Sequence, residues 1–542
     1  MNQNPTNNKF FIYYPLMLAA MLVIGIYVGS YFSSSGGSKP PFFPQFNVNS
    51  ADKIGQIINF IDAEYVDTIA KNRLIDKAIR AILEDLDPHS YYISAEELAA
   101  YTEPLEGNFE GIGVEFLIQD DTVRVVAAID GGPSAQLGVQ PGDRILSVDG
   151  ESIAGTGVTN EKVISLLKGP RGTEVSVEIK RQKQNIPFKI VRNTIPINSV
   201  VTSQMIDSET GFIKIARFAR NTHEEFTSHM ASLSEQGMKD VIIDLRGNGG
   251  GFLTAAVSIA EDFLQKGSLI VYTEGKASPK QEYFANKKGQ YAGLPVAILI
   301  NEGSASASEI LAGALQDNDR GILIGRRTFG KGLVQEHLNL SDKSALRLTV
   351  ARYYTPTGRS IQKPYGGDIN YEEDYNDRVA HGEFLSADSV HFPDSLQFTT
   401  PGGRIVYGGG GIMPDIFVSV DTLGASAYLN VLSYQGIINQ FGFDYADQNR
   451  ADLLNYGSYR DFKSKFQVNP ALLRRFAEYA AAKGVQADER GMKLSEYVIK
   501  LRIKAYIARN IWGNDGFYAI MNEDDNVLKE AVKALQNPIG TI

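Results

Sequence analysis

Between residues 48 and 106 apolar residues recur at steps of three and four: Ile54, Ile57, Ile58 and Ile61 form one stripe, and Leu74, Ala78, Ile82 and Leu86 a second. This spacing predicts two amphipathic helices. Asp87-Pro-His-Ser90 stops the second, because proline pushes the residue before it out of helical geometry. From residue 107 to 192 the period drops towards two, with glycine turns between short apolar runs. Strands are predicted from Gly111-Ile-Gly-Val-Glu-Phe116 into 123–128, within 140–150, over 173–180 and over 186–191, with helices over 133–138 and 159–167. From residue 211 strand and helix alternate. Strands over 211–216, 241–245, 295–300 and 321–325 are separated by helices that start near Thr222, after the glycines at 249–251, and after the serines at 304–308. Thr222 with Glu225 three residues on reads as a capping box. Further strands are predicted over 333–337 and 345–352, giving an α/β layered core. Residues 365–400 are acidic, aromatic and irregular, an inserted loop, and 403–418 reads as two strands that complete the core. From 424 onwards the pattern is helical, clearest over 495–511. The expected division is therefore 1–47, 48–106, 107–192, 193–423 and 424–542.

Composition narrows the classes. The chain of 542 residues is 43% hydrophobic and 21% charged, as expected of globular domains. Its net charge of −10 and the lack of any Lys/Arg-rich block argue against a nucleic-acid partner. There is no cysteine, which excludes disulfides and thiol catalysis. Residues 10–32 form an uncharged apolar run of 23 residues, preceded by Lys9 and followed by the Ser/Gly/Pro-rich stretch 33–44. That length spans a bilayer and exceeds the apolar core of a cleaved signal. The expectation is an uncleaved membrane helix with a cytoplasmic N-terminus; a cleaved signal is the alternative, and either exports the remainder.

The order of elements over 107–192 resembles the PDZ domains of bacterial proteases, with the turns Gln140-Pro-Gly-Asp143 and Val148-Asp-Gly150 in support. The resemblance implies that Gly111, Ile112, Gly113 and Val114 turn successive N–H groups towards one point, a nest for a peptide's terminal carboxylate, while the peptide adds to the sheet edge.

Two buried strands carry the candidate chemistry at their ends. One runs into Arg246-Gly-Asn-Gly-Gly-Gly251, the other into Asn301-Glu-Gly-Ser-Ala-Ser-Ala-Ser-Glu309, and each opens a helix. Free N–H groups at a helix start suit an oxyanion, so the N–H of Ala307 with that of Gly250 or Gly251 is a candidate oxyanion hole. A serine needs a base, and a buried lysine supplies one. Lys331, between two glycines in Thr328-Phe-Gly-Lys-Gly332, pairs with Ser306, and Gln335, four residues on, is placed to orient the amine. The stretch Gly325-Arg-Arg-Thr-Phe-Gly-Lys-Gly332 mimics a phosphate-binding loop but ends in Gly332, where Ser or Thr would hold Mg²⁺, and no helix is predicted after it. His89, after the helix-ending Pro88, reads as a packed residue. A Ser–His–Asp triad through His223, His229 or His337 has no local motif behind it.

With Tyr353-Tyr-Thr-Pro-Thr-Gly-Arg-Ser-Ile-Gln362, Gly410-Gly-Ile-Met-Pro-Asp415 and Leu86-Asp-Pro-His-Ser90, these motifs resemble the carboxyl-terminal processing peptidases over residues 50 to 420. The resemblance implies a multidomain α/β chain: membrane helix, helical segment, PDZ domain, a protease core of crotonase/Clp-protease type, and a helical extension. It implies Ser306, the middle serine, as nucleophile, Lys331 as base and Gln335 as its orienting amide, with no metal or organic cofactor. The implied partners are proteins with flexible C-termini, at the periplasmic face of a bacterial inner membrane, with oligomeric state open. A Pro customary before the last two glycines is replaced by Gly249. The competing expectation is a non-catalytic PDZ scaffold that binds peptides at the membrane.

Overall fold

The computed structural model describes residues 53–129, 131–366 and 370–536, together with isolated positions 17, 19, 21, 23 and 24. The apolar run 10–32 lies outside the described residues except for those five positions. Among the described residues no helix is long and apolar enough to cross a membrane. The chain divides by its contacts into one unit ending at Ile79 and a second beginning at Arg80. The first contains the helix Lys53–Glu64 and the start of the helix Lys71–Glu84.

The second unit is built on a six-stranded sheet in the order Val200–Met205, Thr210–Ile215, Asp240–Asp244, Val296–Ile300, Ile322–Gly325, Ile416–Phe417. Only the first pair is antiparallel. Side chains alternate faces along each strand. Val241, Ile243, Val296, Ile298 and Ile300 pack with the helices Thr222–Glu235, Leu253–Phe263 and Ala307–Asp317. Ile242, Ala297, Leu299, Phe212 and Ile324 face the last helix, Asn526–Gln536, through Val527, Leu528 and Ala531. Burial on both faces explains why these strands read as unbroken apolar runs. It also corrects the division at 424: the end of the helical tail is one layer of the protease core.

A second sheet, antiparallel throughout, joins Tyr91–Ile93, Ala345–Tyr354, Leu269–Glu274 and Gln281–Phe284, with Leu333–Asn339 paired to Ala345–Tyr354. The strands over 91–93, 269–274 and 281–284 were not predicted; their runs are short, and pairing with distant partners creates them. The Thr222 capping box is also overturned. Asn221 is the N-cap, Thr222 Oγ1 accepts from Ala219 N and donates to Ser199 Oγ (2.7 Å each), and Glu225 takes the N–H groups of Ser199 and Val200.

Residues 107–192 fold as a five-strand antiparallel path, Val114–Gln119, Thr122–Ala128, Arg144–Val148, Glu174–Arg181, Gln184–Val191, with the helix Asn160–Leu167. The strand Val114–Gln119 is an edge. The expected loop over 365–400 contains a helix, Asp374–Ala380, and a strand, Gln397–Thr399, paired with Ile405–Tyr407. The tail is helical, as its periodicity predicts. Its longest helix, Glu489–Met521, breaks at Trp512 and Gly513.

Candidate active site

Parallel pairing of Asp240–Asp244 with Val296–Ile300 sends the glycine turn and the serine run out side by side at the carboxyl end of the sheet, where open α/β sheets place ligands. The three serines then differ. Ser304 Oγ donates to Leu245 O and Ser308 Oγ to Asn248 O, both at 2.8 Å, stitching the serine run to the end of the neighbouring strand. Ser306 Oγ caps the helix, accepting from the Glu309 N–H in a reciprocal capping box, and among the described residues it donates to no acceptor. Ser306 holds φ 56° and ψ −114°, outside the regions open to an ordinary L residue, and starts the helix Ala307–Asp317.

Glu309 explains how that conformation is held. Fully buried, it accepts Ser306 N (2.8 Å) and Lys331 N (2.9 Å) on one oxygen, and Gly330 N (2.8 Å) and Thr328 Oγ1 (2.5 Å) on the other. Burial pushes the carboxyl up to about 7, while the four donors pull it down. Ile412 N donates to Thr328 Oγ1, so the Thr328 hydroxyl proton is free to point at Glu309, and every group around the carboxyl is a donor. That donor set fits the anion. The Tyr353 hydroxyl, also fully buried, lies within reach of both Ser306 O and Lys331 O. One carboxylate and one phenol thus fix the backbones of Ser306 and Lys331 relative to each other. Neither role is evident from the sequence motifs; the signal for Glu309 is the Ser306-x-x-Glu309 spacing of a capping box.

Lys331 Nζ has no hydrogen bond among the described residues. Burial pushes its ammonium down to about 8, with Arg347 adding to the effect and Glu309 and Asp87 opposing it. The segment after it is the strand Leu333–Asn339, not a helix, as the argument against a phosphate loop requires. Gln335 is four residues along that strand beside a bulge, and its amide bonds Thr349 Oγ1 (3.4 Å) and the Arg347 guanidinium (3.3 Å), not the lysine. His89 is packed: Nε2 lies 2.9 Å from Tyr371 Oη, and burial, then Lys331, hold its pKa down to about 4. Asp87 beside it accepts from Ser90 Oγ (2.6 Å) and Thr349 Oγ1 (3.0 Å). His223 pairs with Asp262 and His229 with Ser203, and neither contacts Ser306.

Gly250 lies against the nucleophile: a Cβ there would stand 2.8 Å from Ser306 Cβ and 2.9 Å from Ala307 N. Its own N–H is taken by Asn248 Oδ1 at 2.9 Å. The N–H groups of Ala307 and Gly251 have no acceptor among the described residues. In the PDZ segment Ile112 O accepts from Ser134 Oγ (2.6 Å), and Gly113 O from Ile129 N (2.9 Å). Alternation along the antiparallel ladder then turns Val114 N–H to the open edge.

Residues 209–371 match peptidase family S41, residues 124–181 a PDZ domain, and residues 428–513 a family of unknown function, DUF8443. The chain is 36% identical over 314 residues to the carboxy-terminal processing protease CtpA of Bacillus subtilis, covering 58% of this chain and 66% of that one. It is 37% identical over 317 residues to a carboxy-terminal-processing protease of Bartonella bacilliformis, covering 57% and 72%. A solved photosystem II D1 C-terminal processing protease is 26% identical with a TM-score of 0.35, over 68% of this chain and 92% of that one. The identity to the Bartonella protease over most of its length favours the enzyme over the scaffold: the chain belongs to the carboxy-terminal processing proteases of peptidase family S41, serine-type endopeptidases, and carries a PDZ domain.

Proposed function

We propose that Ser306 and Lys331 form the catalytic dyad and cleave C-terminal tails of exported proteins captured by the PDZ segment. The observation that carries this is the single Glu309 carboxylate holding the N–H of both residues, with Ser306 the one serine of its run whose hydroxyl donates to no carbonyl. In the neutral form Lys331 Nζ takes the Ser306 hydroxyl proton as Oγ bonds the scissile carbonyl carbon. Ala307 N–H and Gly251 N–H are the donors best placed for the resulting oxyanion, and Gly250 N–H joins them only after leaving Asn248. The lysine ammonium then gives the proton to the leaving amine as the C–N bond breaks. Water, deprotonated by the same lysine, releases the acyl group. Gln335 orients the amine in a rearranged site, in which its amide exchanges Arg347 and Thr349 for Lys331. Gly111, Ile112, Gly113 and Val114 bind the substrate's terminal carboxylate, and the substrate strand adds to Val114–Gln119. The apolar run 10–32 supports anchoring in a bacterial inner membrane with the protease in the periplasm.

The test is cleavage of a reporter protein with an unstructured apolar tail by the full-length chain. Ser306→Ala and Lys331→Ala are expected to abolish it, and amidation of the tail's carboxylate to raise KM. Undiminished cleavage by Ser306→Ala overturns the dyad. Because Lys331 must be neutral, kcat/KM is expected to rise with pH through a midpoint near 8, read from initial rates between pH 6 and 10. A flat profile over that range contradicts the lysine base.

A further inference from the structure

The loop that carries Lys331 contains Gly330, at φ 88°, and Gly332, so its own backbone supplies little stiffness. Glu309 holds it from inside the core. From the other side it is held by residues of the insertion over 365–400. Arg378, on the helix Asp374–Ala380, is 4% exposed. Its guanidinium donates to the carbonyls of two consecutive loop residues, Arg327 O (2.8 Å) and Thr328 O (3.2 Å), and to Glu383 (3.0 Å). Glu383 also pairs with Arg327 at 2.7 Å. Consecutive carbonyls bound by one rigid, planar group fix the orientation of the peptide planes between them. Thr328 is in turn the residue whose hydroxyl reaches Glu309, so Thr328 and Glu309 connect Arg378 to the N–H groups of Ser306 and Lys331.

A second contact lies two residues away. Lys363 Nζ sits between the rings of Phe329 and Tyr371, 4.2 and 3.9 Å from their centroids, and pairs with Asp374 at 2.9 Å. The Tyr371 ring meets Phe329 edge-on, and its hydroxyl reaches His89. Burying the two cations Arg378 and Lys363 is costly unless their partners are tightly placed, and here the satisfied geometry closes around the lysine loop.

We propose that residues 371–384 are a clasp that fixes the Lys331 loop for catalysis, with Arg378 and Tyr371 as positioning residues. This rests on the Ser306/Lys331 reading. The clasp removes conformational freedom that two glycines would leave and keeps water from the lysine. The charged and titratable groups facing Lys331 are Asp87, His89, Glu309 and Arg347, with Lys363, Asp374, Arg378 and Glu383 in the layer outside.

The test uses the full-length chain, the tailed reporter protein, and the variants Arg378→Met, Arg378→Lys, Tyr371→Ala, Ser306→Ala and Lys331→Ala. Arg378→Met and Tyr371→Ala are expected to lower kcat roughly 10- to 100-fold, the scale of a small misplacement of a reacting group, with KM within about twofold because the clasp does not touch the tail-binding edge. Their kcat/KM profiles are expected to shift to higher pH as water reaches Lys331, and Arg378→Lys to recover part of both losses. Thermal unfolding checks the fold, and Tyr371→Ala decides the matter if Arg378→Met does not fold. If Ser306→Ala and Lys331→Ala are inactive while Tyr371→Ala and folded Arg378→Met keep the parent kcat and pH midpoint, the clasp is overturned and the dyad stands. If Ser306→Ala stays active, the dyad itself falls.

Discussion

Ser306 sits in backbone geometry that costs on the order of 1–3 kcal/mol for a non-glycine residue, and the bonds of Ser304, Ser308 and Glu309 on either side hold it there. Gly250 completes the fit, because only a residue without a Cβ can lie that close to Ser306 and Ala307. Gly250→Ala is expected to lower kcat by roughly 100-fold, since the added methyl displaces either the nucleophile or the helix start; a parent-like rate in a steady-state assay contradicts this placement. Gly249 behaves differently. It lacks a positive φ, and a Cβ there meets nothing within 4 Å. Gly249→Ala is therefore expected to raise stability by about 0.4–1 kcal/mol by restricting the unfolded chain, seen as a higher urea midpoint at unchanged slope. The glycine that departs from the family pattern is thus one the fold does not need. At this scale the candidate nucleophile and base were legible in the sequence, because small residues at a helix start and a lysine between glycines are local signals. Tyr353 was not, because its role is to meet carbonyls 47 and 22 residues away.

The last helix, Asn526–Gln536, shows what an element contributes when it closes a layer. Leu528 is 2% exposed and packs on the face of the parallel sheet opposite the crossover helices. Leu528→Ala is expected to destabilise the protein by about 2–5 kcal/mol, the usual range for a buried leucine, and to do so in the transition that reports the protease core. A loss confined to a separate transition of the preceding helices contradicts that assignment. Asp525, at the start of this helix, pairs with Arg246 at 2.6 Å, beside the turn that carries the candidate oxyanion donors. Periodicity predicted the helices of the tail, but amphipathicity says only that a helix needs a partner face. It does not say that the partner is a sheet assembled some 200 residues earlier.

Across the molecule, the helical tail also grips the PDZ segment. Arg124 donates to Asp444 at 2.6 Å, and Gln119, on the edge strand, donates to the same carboxylate and to Tyr479. Arg509 meets Glu115 on that strand at 3.1 Å. The tail therefore touches alternate residues of the strand Val114–Gln119, opposite the face of Val114, Phe116 and Ile118 that belongs to the PDZ core. Asp444→Asn leaves the largely buried Arg124 with only the more distant Asp120, at 3.9 Å, as counter-charge, at a cost of about 1–3 kcal/mol. Faster amide hydrogen exchange over 114–128 is expected, and unchanged exchange there argues that the contact is not structural. Periods of two and 3.6, glycine turns and short motifs determined the PDZ segment, the helical character of the tail and the choice of the candidate dyad, since all of these are local in the chain. Only the tertiary structure decided that the serine run and glycine turn emerge side by side, that Glu309 and Tyr353 brace the pair, that the insertion packs on the Lys331 loop and that the end of the tail packs on the sheet. Each of these is a contact between residues far apart in sequence, and no local pattern encodes which distant surface a buried group will meet.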